Sequence, residues 1–430
     1  MRVPPEPSSL MEIPMNLFDK DGRLDLSRRL FLRSTGGGLL GSGLGLIGPA
    51  FAQGGGGSMP GLPPSRPTGR PFPEMEQETP VEPGRRLGWA VVGLGKFALN
   101  QILPSFGESR CSKLVALVSG NRQKAEQVAS RYGVDTRDLY DYQTFDRIAD
   151  NPEVDVVYVI LPNALHAEYT VRAFKAGKHV FCEKPMAVTV EECETMISAG
   201  REAGRKLMVA YRAQFEPHNV EAIRKVRDGE IGALRLVTSD HGRILDPKDP
   251  ADQWRMVKSL AGGGSRYDIG IYSLQAARYL TGEEPVEAFG QIANTKDDPR
   301  FREVEDRVAF QLRFPSGAVA NLSSSYSTAS VKRIQAFGEK GSIILDPATE
   351  YEGNKLALQT EKGRQEVKVK VKEQSQFAAE MDHFSQSVMN NHDPKTPGEE
   401  GLRDILIMQA IYQSACEGRP VSMEATGSTR

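Results

Sequence analysis

Residues that bind metals or form disulfides are scarce in this chain. Its 430 residues include four cysteines, Cys111, Cys182, Cys193 and Cys416, and six histidines. No C-x-x-C pair occurs and no histidine has ligand spacing, so the sequence points to no metal. Charge of one sign is lacking too: 54 Lys and Arg stand against 56 Asp and Glu, a net −2. That excludes the basic surplus of a nucleic-acid binder. The small-residue and apolar run from Gly36 to Ile47 is interrupted by glycines and falls short of the roughly 20 strongly apolar residues a membrane anchor needs.

What precedes and follows that run is specific. Ser27-Arg28-Arg29-Leu30-Phe31-Leu32-Arg33 has the form of a twin-arginine signal, and Ala50-Phe51-Ala52 that of an A-x-A cleavage site. The expectation is a signal peptide over 1–52, passage of the folded protein through the twin-arginine export machinery, and a periplasmic location. An even cysteine count in an oxidising compartment invites a disulfide reading. A chain folded before export forms its core under reducing conditions, however, so free buried thiols are expected. Residues 53–86 form an arm with GGGG at 54–57 and repeated prolines. Such a composition builds no core and reads either as a spacer or as an extended segment lying along a surface.

From Leu87 the pattern alternates between short apolar strands and helices: Leu87–Val92, a helix over Lys96–Phe106, Leu114–Val118, and a helix from Asn121 closed by Gly133. Val154–Leu161 reads as a strand buried on both faces. Thr189-Val190-Glu191-Glu192 is a capping box opening a further helix. This is the pattern of a doubly wound dinucleotide-binding Rossmann domain over 87–210. Beyond Tyr211 strands follow one another with little helix between them, among them one over Glu366–Lys372 whose valines alternate with lysines. The expected fold class is therefore α/β, an N-terminal Rossmann domain followed over 211–424 by an α+β domain with a large, mainly antiparallel open sheet.

Three places carry chemistry. Gly93-Leu94-Gly95-Lys96-Phe97-Ala98 is a G-x-G-x-x-A turn between strand and helix, where absent side chains let a pyrophosphate reach backbone N–H groups. Gly93, Gly95, Lys96 and Phe97 are its cofactor candidates. The second strand ends at Ser119 without an Asp or Glu between Ser109 and Ala125. Ser119, Arg122 and Lys124 suit a 2′-phosphate where a ribose diol would lack its acceptor, which favours NADP over NAD. Finally, Glu183 and Lys184, cofactor candidates as well, sit at the carboxyl end of a parallel strand, while Asp268 and Tyr272 lie four apart on one expected helix. Tyr272 could exchange a proton with a carbinol oxygen, with Lys184 favouring its phenolate and Asp268 orienting it. Each of these three also has an ordinary role open to it, as surface charge, helix-start carboxylate or packing ring.

GKHVFCEKPMAV, YRAQFEPHN, the run Asp249-Pro250-Ala251-Asp252-Gln253-Trp254-Arg255, LAGGGSRYDIGIYSLQAARYLTGEEP and TPGEEGLRDILIMQAIYQSACEGRPV together resemble the glucose-fructose oxidoreductase and inositol dehydrogenase family. Tyr272, where many relatives have histidine, resembles the sugar-oxidoreductase branch. The resemblance implies a two-domain fold whose open sheet packs on another subunit in a homo-oligomer. It also implies a tightly bound NADP that takes hydride from glucose, giving the lactone, and returns it to fructose, giving sorbitol. It puts Lys184, Asp268 and Tyr272 on catalytic positions, and Gly93, Gly95, Ser119 and Lys124 on cofactor positions; Arg122 is not carried over. Arg212, Trp254 and Arg255 are expected to approach the sugar, and the proline-rich arm to cover a neighbour's adenine site. A related NADP-dependent aldose dehydrogenase or aldose–aldose oxidoreductase is the alternative, and a non-catalytic exported sugar-binding protein the less favoured one.

Overall fold

A computed structural model of the protein describes residues 86–370 and 374–423. The signal and residues 53–85 of the proline-rich arm lie outside the described residues. Six parallel strands form the first sheet: β1 (Leu87–Val92), β2 (Ser112–Val118), β3 (Leu139–Tyr140), β4 (Val156–Val159), β5 (His179–Glu183) and β6 (Leu207–Ala210), in the order β3-β2-β1-β4-β5-β6. All six residues of β1 are buried, as a strand covered by helices on both faces must be. The order reverses between β1 and β4, and ligands of open α/β sheets bind outside the carboxyl ends of the strands at such a point.

Sequence and structure part at the first helix. A continuous α-helix is expected over Lys96–Phe106, but Ala98–Ile102 is π-helical, with α-helix only on either side of it, at Lys96–Phe97 and Leu103–Ser105. Pro104 explains the change, since it has no N–H to give the carbonyl four residues earlier. The capping box at Thr189 forms, with Thr189 accepting from the Glu192 N–H while the Glu192 carboxylate reaches back to the cap.

The second sheet has nine strands: β7 (Leu234–Ile244), β8 (Glu287–Ala293), β9 (Arg307–Arg313), β10 (Val319–Ser325), β11 (Ser327–Gly338), β12 (Gly341–Leu345), β13 (Leu356–Thr360), β14 (Gly363–Glu366) and β15 (Val421–Ser422). Its order is β14-β13-β12-β11-β7-β10-β9-β8-β15. Every pairing is antiparallel except β7 with β10. One face buries alternate residues such as Val308, Phe310 and Leu312 of β9, while Arg307, Ala309, Gln311 and Arg313 face outward. The strand expected at Glu366–Lys372 ends at Glu366. Val367 and Val369 still pack inward on the core while Lys368 and Lys370 are exposed.

After this sheet the chain returns to the first one. Helix Gln376–Met389 lies on the nucleotide sheet, with Trp89 Nε1 donating to Ser385 Oγ at 3.1 Å and the Trp89 ring edge-on to Phe384. Asp382 accepts from the N–H groups of Arg110 and Cys111. The two sheets are thus tied by a segment distant from the nucleotide strands in sequence. All four cysteines are free thiols; Cys182 and Cys193 are buried as expected, but Cys416 is exposed and Cys111 half-buried. No described helix is long and apolar enough to cross a membrane.

Candidate active site

Four loops leave the carboxyl edge of the first sheet on one side. After β1 comes Gly93, whose φ of +96° is open mainly to glycine. A Cβ there would lie 2.2 Å from the Ile160 carbonyl oxygen, whereas one on Gly95 would meet nothing within 4 Å. The turn is therefore pressed against the sheet at its first glycine and open above its second, which is the space a pyrophosphate needs. Lys96 leaves this turn, and its Nζ lies 2.7 Å from Asp249 Oδ2, joining the glycine turn to the Asp249–Arg255 segment. Phe97 packs edge-on against Phe377 and tilts toward Tyr351.

The end of β2 supplies the second cluster. Ser119 is buried, its hydroxyl accepting the Asn121 N–H, and Asn121 caps the next helix by accepting from the Lys124 N–H. Lys124 reaches back to the glycine turn, with Nζ 3.3 Å from the Leu94 carbonyl oxygen. Partial burial lowers its pKa. Arg122 does not join these two. Its guanidinium is held by Glu126 at 2.8 Å, by the Leu139 carbonyl at 3.1 Å and by the Thr136 carbonyl at 3.3 Å. The donor set is thus a hydroxyl and an ammonium with no carboxylate, which fits a nicotinamide dinucleotide carrying a 2′-phosphate.

The third loop follows β5. Glu183 accepts from Tyr158 at 2.6 Å, and burial raises its pKa. Lys184 then crosses to the second half of the chain. Its Nζ donates to the Asp268 carbonyl at 2.6 Å and lies 3.3 Å from Oδ1. His166 is fully buried beneath, with hydrogen bonds to the Leu161 and Pro185 carbonyls that tie the loops after β4 and β5 together.

Asp268 stands in a π-helical turn, Arg266–Gly270, that leads into the α-helix Ile271–Thr281. The expected single α-helix is interrupted there, and π-turns of this kind are frequent at functional sites. Asp268 Oδ2 takes Arg255 Nε at 2.9 Å and the Tyr326 hydroxyl at 2.8 Å, with Arg243 3.6 Å away. Burial alone would raise its pKa, but Arg255, Lys184 and Arg243, helped by the Tyr326 hydrogen bond, hold it well below the usual range. Asp268 is a fixed anion.

Tyr272 meets the same lysine from another direction. Lys184 Nζ lies 4.8 Å from its ring centroid, and His241 stacks on it at 5.5 Å with an interplanar angle of 22°. The hydroxyl takes its hydrogen bond from Arg212 Nε at 3.1 Å rather than from Lys184. His241 is buried between Ser273 Oγ and Thr349 Oγ1. Burial first, then the charges of Lys332, Arg212 and Lys184, push its pKa down to about 3, so it is neutral.

Lys184, Asp268 and Tyr272, far apart in sequence, thus share one site at the carboxyl edge of β5. Arg212, on the fourth loop after β6, reaches that site through Tyr272. Arg255 is bound to Asp268, and its guanidinium stacks on Trp254 at 4.4 Å. Sequence reasoning missed Arg243, His241, Tyr326 and Tyr351. They lie on β7, or beside β10 and β12, and strand alternation could have found them only by marking His241 as a buried polar residue.

Residues 87–211 match the model of an oxidoreductase family with an NAD-binding Rossmann fold, and residues 223–423 that family's C-terminal alpha/beta domain. The chain belongs to the GFO/IDH/MocA oxidoreductase family. Among its relatives is the D-xylose 1-dehydrogenase [NADP(+)] of Haloarcula marismortui, 32% identical over 76% of this chain and 90% of that protein. The D-glucoside 3-dehydrogenase of Escherichia coli is 28% identical over 78% of this chain and 97% of that one. A solved structure of aldose-aldose oxidoreductase from Caulobacter crescentus, complexed with glycerol, superposes with a TM-score of 0.77. It is 49% identical and covers 79% of this chain and 100% of its own.

Proposed function

We propose that the protein is an NADP-containing sugar oxidoreductase that oxidises an aldose to its lactone and passes the hydride, in a second half-reaction, to another aldose. The 49% identity extending over the whole length of a solved aldose-aldose oxidoreductase carries this reading. A ketose acceptor such as fructose is the second reading. It is favoured by the twin-arginine signal and proline-rich arm that this chain shares in style with glucose-fructose oxidoreductase.

Bound NADP would take up and return the hydride. Gly93, Gly95, Ser119 and Lys124 would hold it, with Lys96 and Phe97 at the edge of the turn. Lys184 and Tyr272 converge where a sugar carbinol would lie, and Asp268 fixes the lysine. In oxidation Tyr272 takes the proton of the sugar hydroxyl; in reduction it returns one to the carbonyl oxygen of the acceptor. The same groups serve both directions, as a cofactor that stays bound between half-reactions requires.

Tight retention of NADP, a homo-oligomer formed through the open sheet, and folded export to the periplasm belong to the same proposal. Export rests on Arg28 and Arg29; replacing both with lysine would leave active protein in the cytoplasm, and unchanged periplasmic activity would refute it. The functional test is direct. Protein purified without added nucleotide is mixed with glucose or xylose, and reduced-nicotinamide absorbance is followed while a second aldose or fructose is added. Absorbance that rises with the donor and is discharged by the aldose supports the first reading. Discharge by fructose alone supports the second, and no response to any sugar points to a binding protein.

A further inference from the structure

Among the described residues three arginines are almost fully buried: Arg212, Arg266 and Arg278. Arg278 is bound to Asp404, Glu284 and Glu400, and Arg266 lies 3.8 Å from Glu305. Arg212 differs. Its hydrogen bonds go to the Tyr272 hydroxyl at 3.1 Å, Gln376 Oε1 at 2.9 Å, the Thr349 carbonyl at 2.7 Å and the Glu350 carbonyl at 3.4 Å. Every one is a neutral acceptor, and among the described residues Arg212 forms no ion pair. A buried cation without a counterion is costly. Any negative charge that forms on a group it already touches relieves that cost.

We propose that Arg212 is a catalytic residue whose guanidinium holds the negative charge on the Tyr272 oxygen while that oxygen is without its proton. The inference rests on Tyr272 being the proton carrier in the function proposed above. In sugar oxidation bound NADP would accept the carbinol hydrogen as hydride, with its electron pair. The O–H proton passes to the Tyr272 oxygen, and the carbinol carbon becomes the lactone carbonyl. In reduction the same proton leaves Tyr272 for the acceptor's carbonyl oxygen. Tyr272 must therefore spend part of each cycle as phenolate, and Arg212 Nε is the donor aimed at it.

The other groups around Tyr272 suit this division of labour. Lys184 is held at Asp268 and faces the ring, not the oxygen. His241 on the ring face is neutral, and Tyr351 stacks under the Arg212 guanidinium at 4.8 Å. Asp268, one turn earlier, is already satisfied by its own cations. Glu183 and Glu380 are also near Arg212; burial raises the pKa of both, and neither hydrogen-bonds to the guanidinium. Glu380 is 1% exposed. Arg212 was expected to approach the sugar; in the structure its guanidinium is hydrogen-bonded to the Tyr272 hydroxyl.

The test uses holoenzyme and two readouts. The first is ultraviolet titration of tyrosinate, in which the step lost on Tyr272→Phe belongs to Tyr272. Arg212→Met should move that step to higher pH by about one to three units, the usual effect of losing an opposite charge at contact. Arg212→Lys, which keeps the charge, should move it less. The second is single-turnover reduction of bound NADP by an aldose. Arg212→Met should slow it about 100-fold near neutral pH and regain about tenfold per pH unit as the base form is restored. If Arg212→Met does not fold, Arg212→Gln takes its place with the same expectations. A titration step that stays in place, or that moves equally in Arg212→Lys, overturns the proposal; so does a rate loss equal at every pH. If no sugar reduces the cofactor yet the step moves as expected, the function proposed above fails and the Arg212–Tyr272 coupling stands.

Discussion

Lys184 Nζ is fastened to Asp268 twice, at 2.6 Å to the backbone oxygen and 3.3 Å to Oδ1, while the same Nζ lies 4.8 Å from the centroid of the Tyr272 ring. One ammonium thereby joins the nucleotide sheet to the segment that carries the tyrosine. Its removal leaves Asp268 with Arg255 and Tyr326, so the aspartate stays charged and the turn stays folded. Lys184→Met should then lose about 10²–10⁴-fold in hydride transfer in both directions while keeping cofactor, as should Tyr272→Phe. Single-turnover absorbance with donor and then acceptor checks this, and near-normal rates in either variant would return that residue to a packing role.

Cofactor choice is expected to turn on Ser119. It is buried at the end of β2, beside a strand end with no carboxylate, and Lys124 lies over the glycine turn. Ser119→Asp should repel a 2′-phosphate and accept a ribose diol, shifting preference toward NAD by at least tenfold, about 1.4 kcal/mol. Calorimetric titration of cofactor-stripped protein measures it; a wild type that binds NAD and NADP equally would defeat the assignment.

The two glycines of the turn should separate stability from binding. Gly93→Ala combines a left-handed backbone with a methyl 2.2 Å from the Ile160 oxygen, and should cost about 2–4 kcal/mol of stability. Gly95→Ala has open space and should leave the urea midpoint nearly unchanged while weakening NADP binding. Equal destabilisation by both would show that the turn is only a structural corner.

His241 predicts acid sensitivity. Its folded pKa is pushed down to about 3, below the roughly 6.5 of an unfolded histidine. Above the unfolded value neither state takes the proton and nothing is lost. As pH falls through the window between them, only the unfolded chain binds a proton, so stability declines with a slope approaching about 1.4 kcal/mol per pH unit. His241→Gln, which can keep contacts to Ser273 and Thr349, should reduce the loss between pH 7 and pH 5 by about 2 kcal/mol. His179, lowered to about 4 chiefly by burial, titrates in the same range in both proteins and cancels from the comparison. Identical pH dependence in the two would refute the role given to His241.

Local patterns carried a great deal of this protein. Alternation of apolar runs and helix caps was enough for the parallel sheet, because a buried strand must be apolar on both faces and a capping box such as Thr189–Glu192 satisfies N–H groups with side chains a few residues away. The G-x-G-x-x-A turn and the missing carboxylate after β2 were legible for the same reason: each is a requirement met within one short segment.

Relations between distant segments were not legible. Pro104 could be read as a helix breaker, but the π-turn at Asp268 has no proline, and it carries the carboxylate on which Arg255, Lys184 and Tyr326 converge. Helix Gln376–Met389 had an apolar face, yet nothing in its pattern said that it would cross back to Trp89 on the first sheet. Arg212 shows the limit most clearly. Its motif brought it to the site, but whether its guanidinium met a sugar, a carboxylate or the Tyr272 hydroxyl depended on which groups the tertiary fold placed within hydrogen-bonding distance of a buried charge. A side chain's partner in space is chosen by packing across the whole chain, and packing of that kind leaves no periodicity in sequence to read.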